Sequence, residues 1–244
     1  MEGVESRLFP YIRARRVDFS SAHASFLSDG VQLPGAHRVI SELVANRKYV
    51  RGVCLRPGSA GLRVGQVVHD HLRHYYETGR AHAKEHPQAT SLRGALERPL
   101  GGARVVPELH VATPWCATAA DLVARRGDRF FVVEHKTGFN GVFDTKDAGR
   151  WRAAVSLAFA GAGIPCTPLG HAIVQGLIGA LALNHTFAVP LENISVIVAR
   201  VWQGPTAKPC TELVALHLAD PAVNLAATVL GKHCGRTKRK KDKK

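Results

Sequence analysis

The stretch ATAADLVARRGDRFFVVEHK, residues 117–136, decides how this chain folds. Residues 117–125 and 129–136 each read as a strand, and Arg126-Gly127-Asp128-Arg129 joins them. Gly127 stands at the first central position, as a two-residue type II′ hairpin turn prefers. Pairing Arg126 with Arg129 sets Asp121 directly opposite Glu134, and cross-strand partners have Cβ atoms roughly 4.5–5.5 Å apart. Lys136 shares that face by the two-residue period and lies opposite Ala119, while His135 turns to the other face and reads as structural. Two carboxylates this close repel each other unless a positive charge lies between them. A divalent cation held by oxygen ligands meets that need.

Working outward, residues 104–112 add a strand before the hairpin and complete an antiparallel meander. Helical spacing is expected over 36–50 and 62–77, and Pro57-Gly58-Ser59 separates the two. Residues 80–102 read as a linker or irregular crossing, and residues 1–35 as an arm or short helix. Beyond the hairpin, helices are expected at about 147–160 and 170–184, strands at 194–202 and 212–218, and a last helix over 220–232. The order of elements implies an α/β (α+β) mixed sheet flanked by helices. The organisation expected is an N-terminal helical extension over 1–60, a core over 61–233 and a basic disordered tail over 234–244.

The chain has 244 residues and a net charge of +14, unevenly spread. Residues 236–244 hold seven Lys/Arg against one Asp, and residues 38–104 hold twelve against five acids. Residues 105–235, with the hairpin, hold ten against nine. Such flanking charge favours polyanions, most often nucleic acid, through counterion release. The five cysteines are scattered without a CxxC, which argues against a zinc ribbon and suits a reducing compartment. No apolar signal-peptide core is evident at the N-terminus. Asp, Glu, Lys and Arg are absent from Ala153 to Leu191, but Pro165, Pro168, His171, Gln175, Asn184 and His185 interrupt that stretch. Its longest clean apolar run, Gly176 to Leu183, falls far short of the ~20 residues a membrane span needs, so a buried helix against a sheet is expected.

Asp121, followed after twelve residues by Glu134-His135-Lys136, resembles the D-(x)n-(D/E)-x-K signature of PD-(D/E)XK nucleases, and most closely their RecB-like exonuclease branch. Thr137-Gly138 after the lysine, the helix-borne Gly65-x-x-Val68-His69, Glu108 on the preceding strand and Gln175 on a following helix extend the resemblance over about 65–178. The chain departs from that pattern at Ala119, where the family often has Gly, and at Gly179, where it has Tyr. The resemblance implies a restriction-endonuclease-like αβββαβ core. It also implies a metal-dependent DNA nuclease, exonuclease before endonuclease, acting on single- or double-stranded DNA. Asp121, Glu134 and Lys136 would be catalytic, and His69, Asp121, Glu134 and Glu108 would hold Mg²⁺ or Mn²⁺. Gln175 and Thr137 would contact nucleic acid, as would Lys238, Arg239, Lys240 and Lys241 of the tail.

Plainer readings stand beside these. Glu134 and Lys136 could be a surface pair, and Glu108 a strand-edge charge. His69 falls on the stripe Gly65, Val68, His69, Leu72, Tyr76, where a core histidine is common, and Gln175 could simply satisfy a buried helix. The tail is a nuclear-import signal, a DNA tether or a solvated end, the first implying a nuclear protein of a eukaryote or of a virus replicating in one. For the whole chain, the alternatives are a catalytically inactive nucleic-acid-binding protein of the same fold and a basic interaction module. DNA repair, recombination and viral genome processing all fit the first reading.

Overall fold

The computed structural model describes residues 17–20, 25–28, 31–45, 60–138, 143, 148–204, 206 and 208–241. Strands β5 (Arg104–Ala112), β6 (Ala117–Arg126), β7 (Arg129–Thr137), β9 (Ile194–Gln203) and β10 (Pro209–His217) form a mixed five-stranded sheet in the order β10-β9-β7-β6-β5. Every neighbouring pair is antiparallel except β7 and β9, which run parallel. A parallel pair needs a crossover, and helices α4 (Ala153–Gly161) and α5 (Pro168–Phe187) supply it. Helices α2 (Ala60–Thr78) and α3 (Pro87–Leu100) cover one face of the sheet, α5 the other. Covered on both sides, β7 and β9 are nearly continuous runs of buried residues.

The β6–β7 hairpin takes the expected register. Arg126 pairs with Arg129 and Val123 with Val132, and Gly127 has φ +60° at the turn. The ladder stops at Leu122–Val133, one row short of Asp121 and Glu134. The β5–β6 ladder is broken at the same level: Pro107 pairs with Leu122 and Leu109 with Ala120, while Glu108 lies between them with φ +50°. Alternation slips there in both strands. Val106, Leu109, Ala120 and Val123 all join the α5-side core, although an undisturbed strand would send residues three apart to opposite faces. The sheet therefore opens at the row of Glu108 and Asp121.

Helix α5 is buried along most of its length, as its lack of charge requires. Its N-cap Thr167 accepts from the Gly170 amide, with Pro168 at the first helical position. The helix lies so close to the sheet that a Cβ at Gly176 would sit 2.4 Å from a Val196 methyl. One at Gly179 would sit 2.9 Å from a Val132 methyl.

Several expectations are corrected. Residues 80–102 are not a linker throughout: Pro87–Leu100 is helical and buries Ala89, Leu92, Leu96 and Leu100 along one stripe. Pro87 starts this helix at a position where no amide is needed. The N-terminal region is not simply helical. Val17–Ser20 (β1), Ser25–Ser28 (β2) and Val31–Leu33 (β3) form an antiparallel sheet before helix α1 (Ala36–Leu43). Helix α1 ends at Leu43 because Val44–Ala45 (β4) pairs with Arg150–Trp151 (β8), which also delays α4 to Ala153. The expected helix over 46–50 lies outside the described residues. At the other end, helix α6 (Pro221–Lys241) continues through most of the expected disordered tail. Its apolar residues Val223, Ala226, Ala227, Leu230 and Cys234 anchor it. The Lys and Arg that follow are good helix formers. Among the described residues, no helix is long and apolar enough to cross a membrane.

Candidate active site

The opened row collects the side chains singled out in the sequence. Glu134 is wholly buried on β7, and its Oε2 lies 3.3 Å from the Lys136 Nζ. That ammonium also donates to Gln175 Oε1 on α5 at 3.2 Å. Glu134 Oε1 is buried without a hydrogen-bond partner. Asp121 does not pair through the backbone; its Oδ2 instead accepts from the His135 amide at 2.8 Å.

On the α2 side, His69 Nε2 is 2.7 Å from Glu108 Oε1, and His69 Nδ1 is 3.9 Å from Asp121 Oδ1. Arg73, one turn further along α2, donates from Nη1 to Glu108 Oε2 at 2.8 Å and from Nε to Glu77 at 2.9 Å. Both oxygens of Glu108 are thus engaged by α2. This close approach depends on Gly65, where a Cβ would lie 2.9 Å from Thr137 Oγ1. Thr137 is accordingly placed against the helix that carries His69.

Charge is unevenly distributed. Burial acts most strongly on Glu134, and Asp121's charge adds to it, so its carboxyl is pushed up to about 8 despite Lys136. For Asp121 burial also acts upward, but His135 and Lys136 outweigh it and hold the carboxyl well below the usual range. Burial disfavours the Lys136 ammonium, yet Glu134 and then Asp121 keep its pKa raised. The site therefore holds one firm anion, one carboxyl that readily keeps a proton, and one firm cation.

The structure brings together Asp121, Glu134, Lys136, His69, Glu108 and Gln175. It also adds residues the sequence did not mark. The expectation that His135 stands apart is corrected. Its Nδ1 lies 3.2 Å from Asp121 Oδ2, and its ring stacks on His69 with centroids 5.1 Å apart. The two-residue period is kept, but the slip at Asp121 swings that carboxylate toward the α2 side. Arg73 could have been found one turn after His69 on the same helical stripe. His37 of α1 lies within electrostatic reach of the site: burial and then Lys136 lower its pKa, whereas Asp121 raises it. Nothing in the local sequence marks His37. The side chains of Lys238, Arg239, Lys240 and Lys241 lie outside the described residues.

No family model matches the chain, and no curated protein matches it in sequence.

Proposed function

We propose that the chain is a metal-dependent DNA nuclease with the restriction-endonuclease-like core of the PD-(D/E)XK superfamily. The observation that carries this reading is the meeting of Asp121, Glu134, Lys136 and Gln175 where β6 and β7 part. A surface Glu–Lys pair would not bury Glu134 completely, nor leave one of its oxygens without a partner. The donor set fits Mg²⁺ or Mn²⁺: Asp121 is strongly anionic, Glu134 Oε1 is free to ligate, and His69 presents Nδ1 toward Asp121.

When bound, such an ion polarises the phosphodiester and lowers the pKa of a water. The chain's own groups do the rest. Lys136, fixed by Glu134 and Gln175, offers a positioned ammonium to a phosphoryl oxygen or to the attacking water. Gln175 keeps an amide nitrogen beside that position for a backbone contact. Glu108 and Arg73 fix the orientation of His69. The +14 net charge favours nucleic acid as substrate, and the basic C-terminal run would add affinity and serve nuclear import. Exonuclease over endonuclease rests on the resemblance alone.

The test is cleavage of 5′- and 3′-labelled single- and double-stranded DNA in Mg²⁺, Mn²⁺ or EDTA, with wild type and Lys136→Ala. Metal-dependent cleavage that the variant loses supports the reading, and the ladder gives strand polarity. Folded wild type that binds DNA and cleaves none of these substrates would replace it with the inactive binding protein.

A further inference from the structure

We propose that the imidazole of His135 is itself a metal ligand. With His69 Nδ1 and an oxygen of Asp121 it forms a nitrogen-rich site for a transition-metal ion on the α2 side of the sheet. His69, Asp121 and His135 each bring one ligand atom to within 4.8 Å of the other two. Asp121 is common to this set and to the Asp121–Glu134 pair on the Lys136 side.

Three further observations point at a cation. First, His135 is 9% exposed, and its Nδ1 is buried without a hydrogen-bond partner. Asp121 Oδ2 lies 3.2 Å from it, at ion-pair distance, and already accepts the backbone amide of the same residue at 2.8 Å. Either an N–H or a bound cation must lie between these two atoms, and a cation is the one that would also engage His69 Nδ1. Their spacing also suits neighbouring ligands of one ion, which lie about 3.0–3.4 Å apart when the bonds are about 2.1 Å.

Second, Glu108 sets the tautomer of His69. Its carboxylate lies 2.7 Å from Nε2, so the proton held there leaves Nδ1, 3.9 Å from Asp121 Oδ1, as the nitrogen that would ligate. A carboxylate that receives the other N–H of a ligating histidine is the usual support of such a ligand. Arg73 holds that carboxylate from behind at 2.8 Å. In this site Glu108 positions His69.

Third, the His69 and His135 rings stack with 29° between their planes, so the two imidazoles lie side by side next to Asp121. Two imidazoles and one carboxylate suit Mn²⁺, Co²⁺ or Zn²⁺, whereas Mg²⁺ prefers oxygens alone. The site does not depend on what the chain cleaves, or on whether it cleaves anything.

The test uses the full chain without nucleic acid. Co²⁺ binding is followed by visible absorption, and Mn²⁺ and Mg²⁺ binding by calorimetry. Wild type is compared with His135→Ala, His135→Gln and, as a control, His82→Ala on the exposed surface. Both His135 variants should lose at least about tenfold in Co²⁺ and Mn²⁺ affinity, with Mg²⁺ little changed and His82→Ala like wild type. Pulsed EPR of Mn²⁺-loaded wild type should show two coordinated imidazole nitrogens, a result that needs no variant to fold. One such nitrogen or none in wild type overturns the proposal. So does unchanged or raised affinity in the His135 variants, the outcome if His135 is only a cationic neighbour of Asp121.

Discussion

Lys136 on β7 and Gln175 on α5 meet at 3.2 Å, so the candidate cation is braced from the helix side as well as by Glu134. Replacing Gln175 with Ala leaves Lys136 anchored by Glu134 alone. Cleavage by Gln175→Ala should fall about 10- to 100-fold, with a smaller change in DNA affinity. Lys136→Ala should lose about 10²–10³-fold, the scale of one charge-stabilising donor. Single-turnover rates at saturating enzyme check both, and equal rates for wild type and Lys136→Ala would remove the lysine from the chemistry.

Metal uptake should depend on pH through Glu134. Its folded pKa of about 8 lies above the ordinary value of 4.5, so the metal-free protein keeps this proton across neutral pH. The stability linked to that proton is fully present below about 4.5 and is lost as pH rises through 8. A cation ligated by Glu134 must displace the proton, so Mn²⁺ affinity should weaken about tenfold per pH unit below 8. Calorimetry in two buffers of different ionisation enthalpy, at pH 6.5 and 8.5, counts the released protons. In melts without metal, the protein should lose stability as pH rises from about 4.5 to about 8, and added Mn²⁺ should restore more at the upper end.

Two glycines in helices should respond oppositely to alanine. At Gly176 a Cβ would overlap Val196, so Gly176→Ala should cost about 1–3 kcal/mol. At Gly94 in α3 nothing lies within 4 Å, so Gly94→Ala should gain roughly 0.5–1 kcal/mol from helix propensity. Urea melts with an unchanged m-value would read both, and a destabilising Gly94→Ala would contradict a helix over 87–100.

Gly65→Ala should separate fold from site. The added methyl meets only the Thr137 hydroxyl, a side-chain atom that can turn, so the loss in stability should be small. The helix that carries His69 would still be displaced by a few tenths of an ångström. Mn²⁺ affinity should therefore fall more than Tm does, and equal falls would refute a positioning role for Gly65.

Deleting residues 236–244 removes seven Lys/Arg and one Asp. If that end touches DNA, affinity should drop and the slope of log K against log salt should become shallower, by about 0.9 for each phosphate that is no longer neutralised. Fluorescence anisotropy from 50 to 300 mM salt measures this, and an unchanged slope would free the basic run from any DNA role.

The hairpin was legible because its turn chemistry and alternation agree on one register, and α5 because a long uncharged stretch must be buried. Helix α3 was not, since Pro87, Gly94 and Pro99 all read as breakers. The stripe of Ala89, Leu92, Leu96 and Leu100 between them outweighs those signals once it packs on the sheet. The strands of 17–33 are too short and too mixed in polarity to stand out in sequence. Within the site, Asp121, Glu134, Lys136, His69, Glu108 and Gln175 could be chosen from spacing and resemblance. The place of His135 could not, because a strict two-residue period excludes the slip at Glu108 and Asp121 that brings the carboxylate to it. His37 reaches the site from a helix far away in the chain.

The His135 amide is held by a carboxylate side chain where a sheet would ordinarily hold it with a carbonyl. On the proposed reading, chemistry and local folding consequently share one residue. Asp121→Ala would free that amide to exchange with solvent and let the end of the hairpin fray, so it would remove more than a ligand. Asp121→Asn keeps an acceptor for the amide and gives up the negative charge. The difference in exchange at this single N–H between the two variants separates what Asp121 does for the chain from what it does for a substrate.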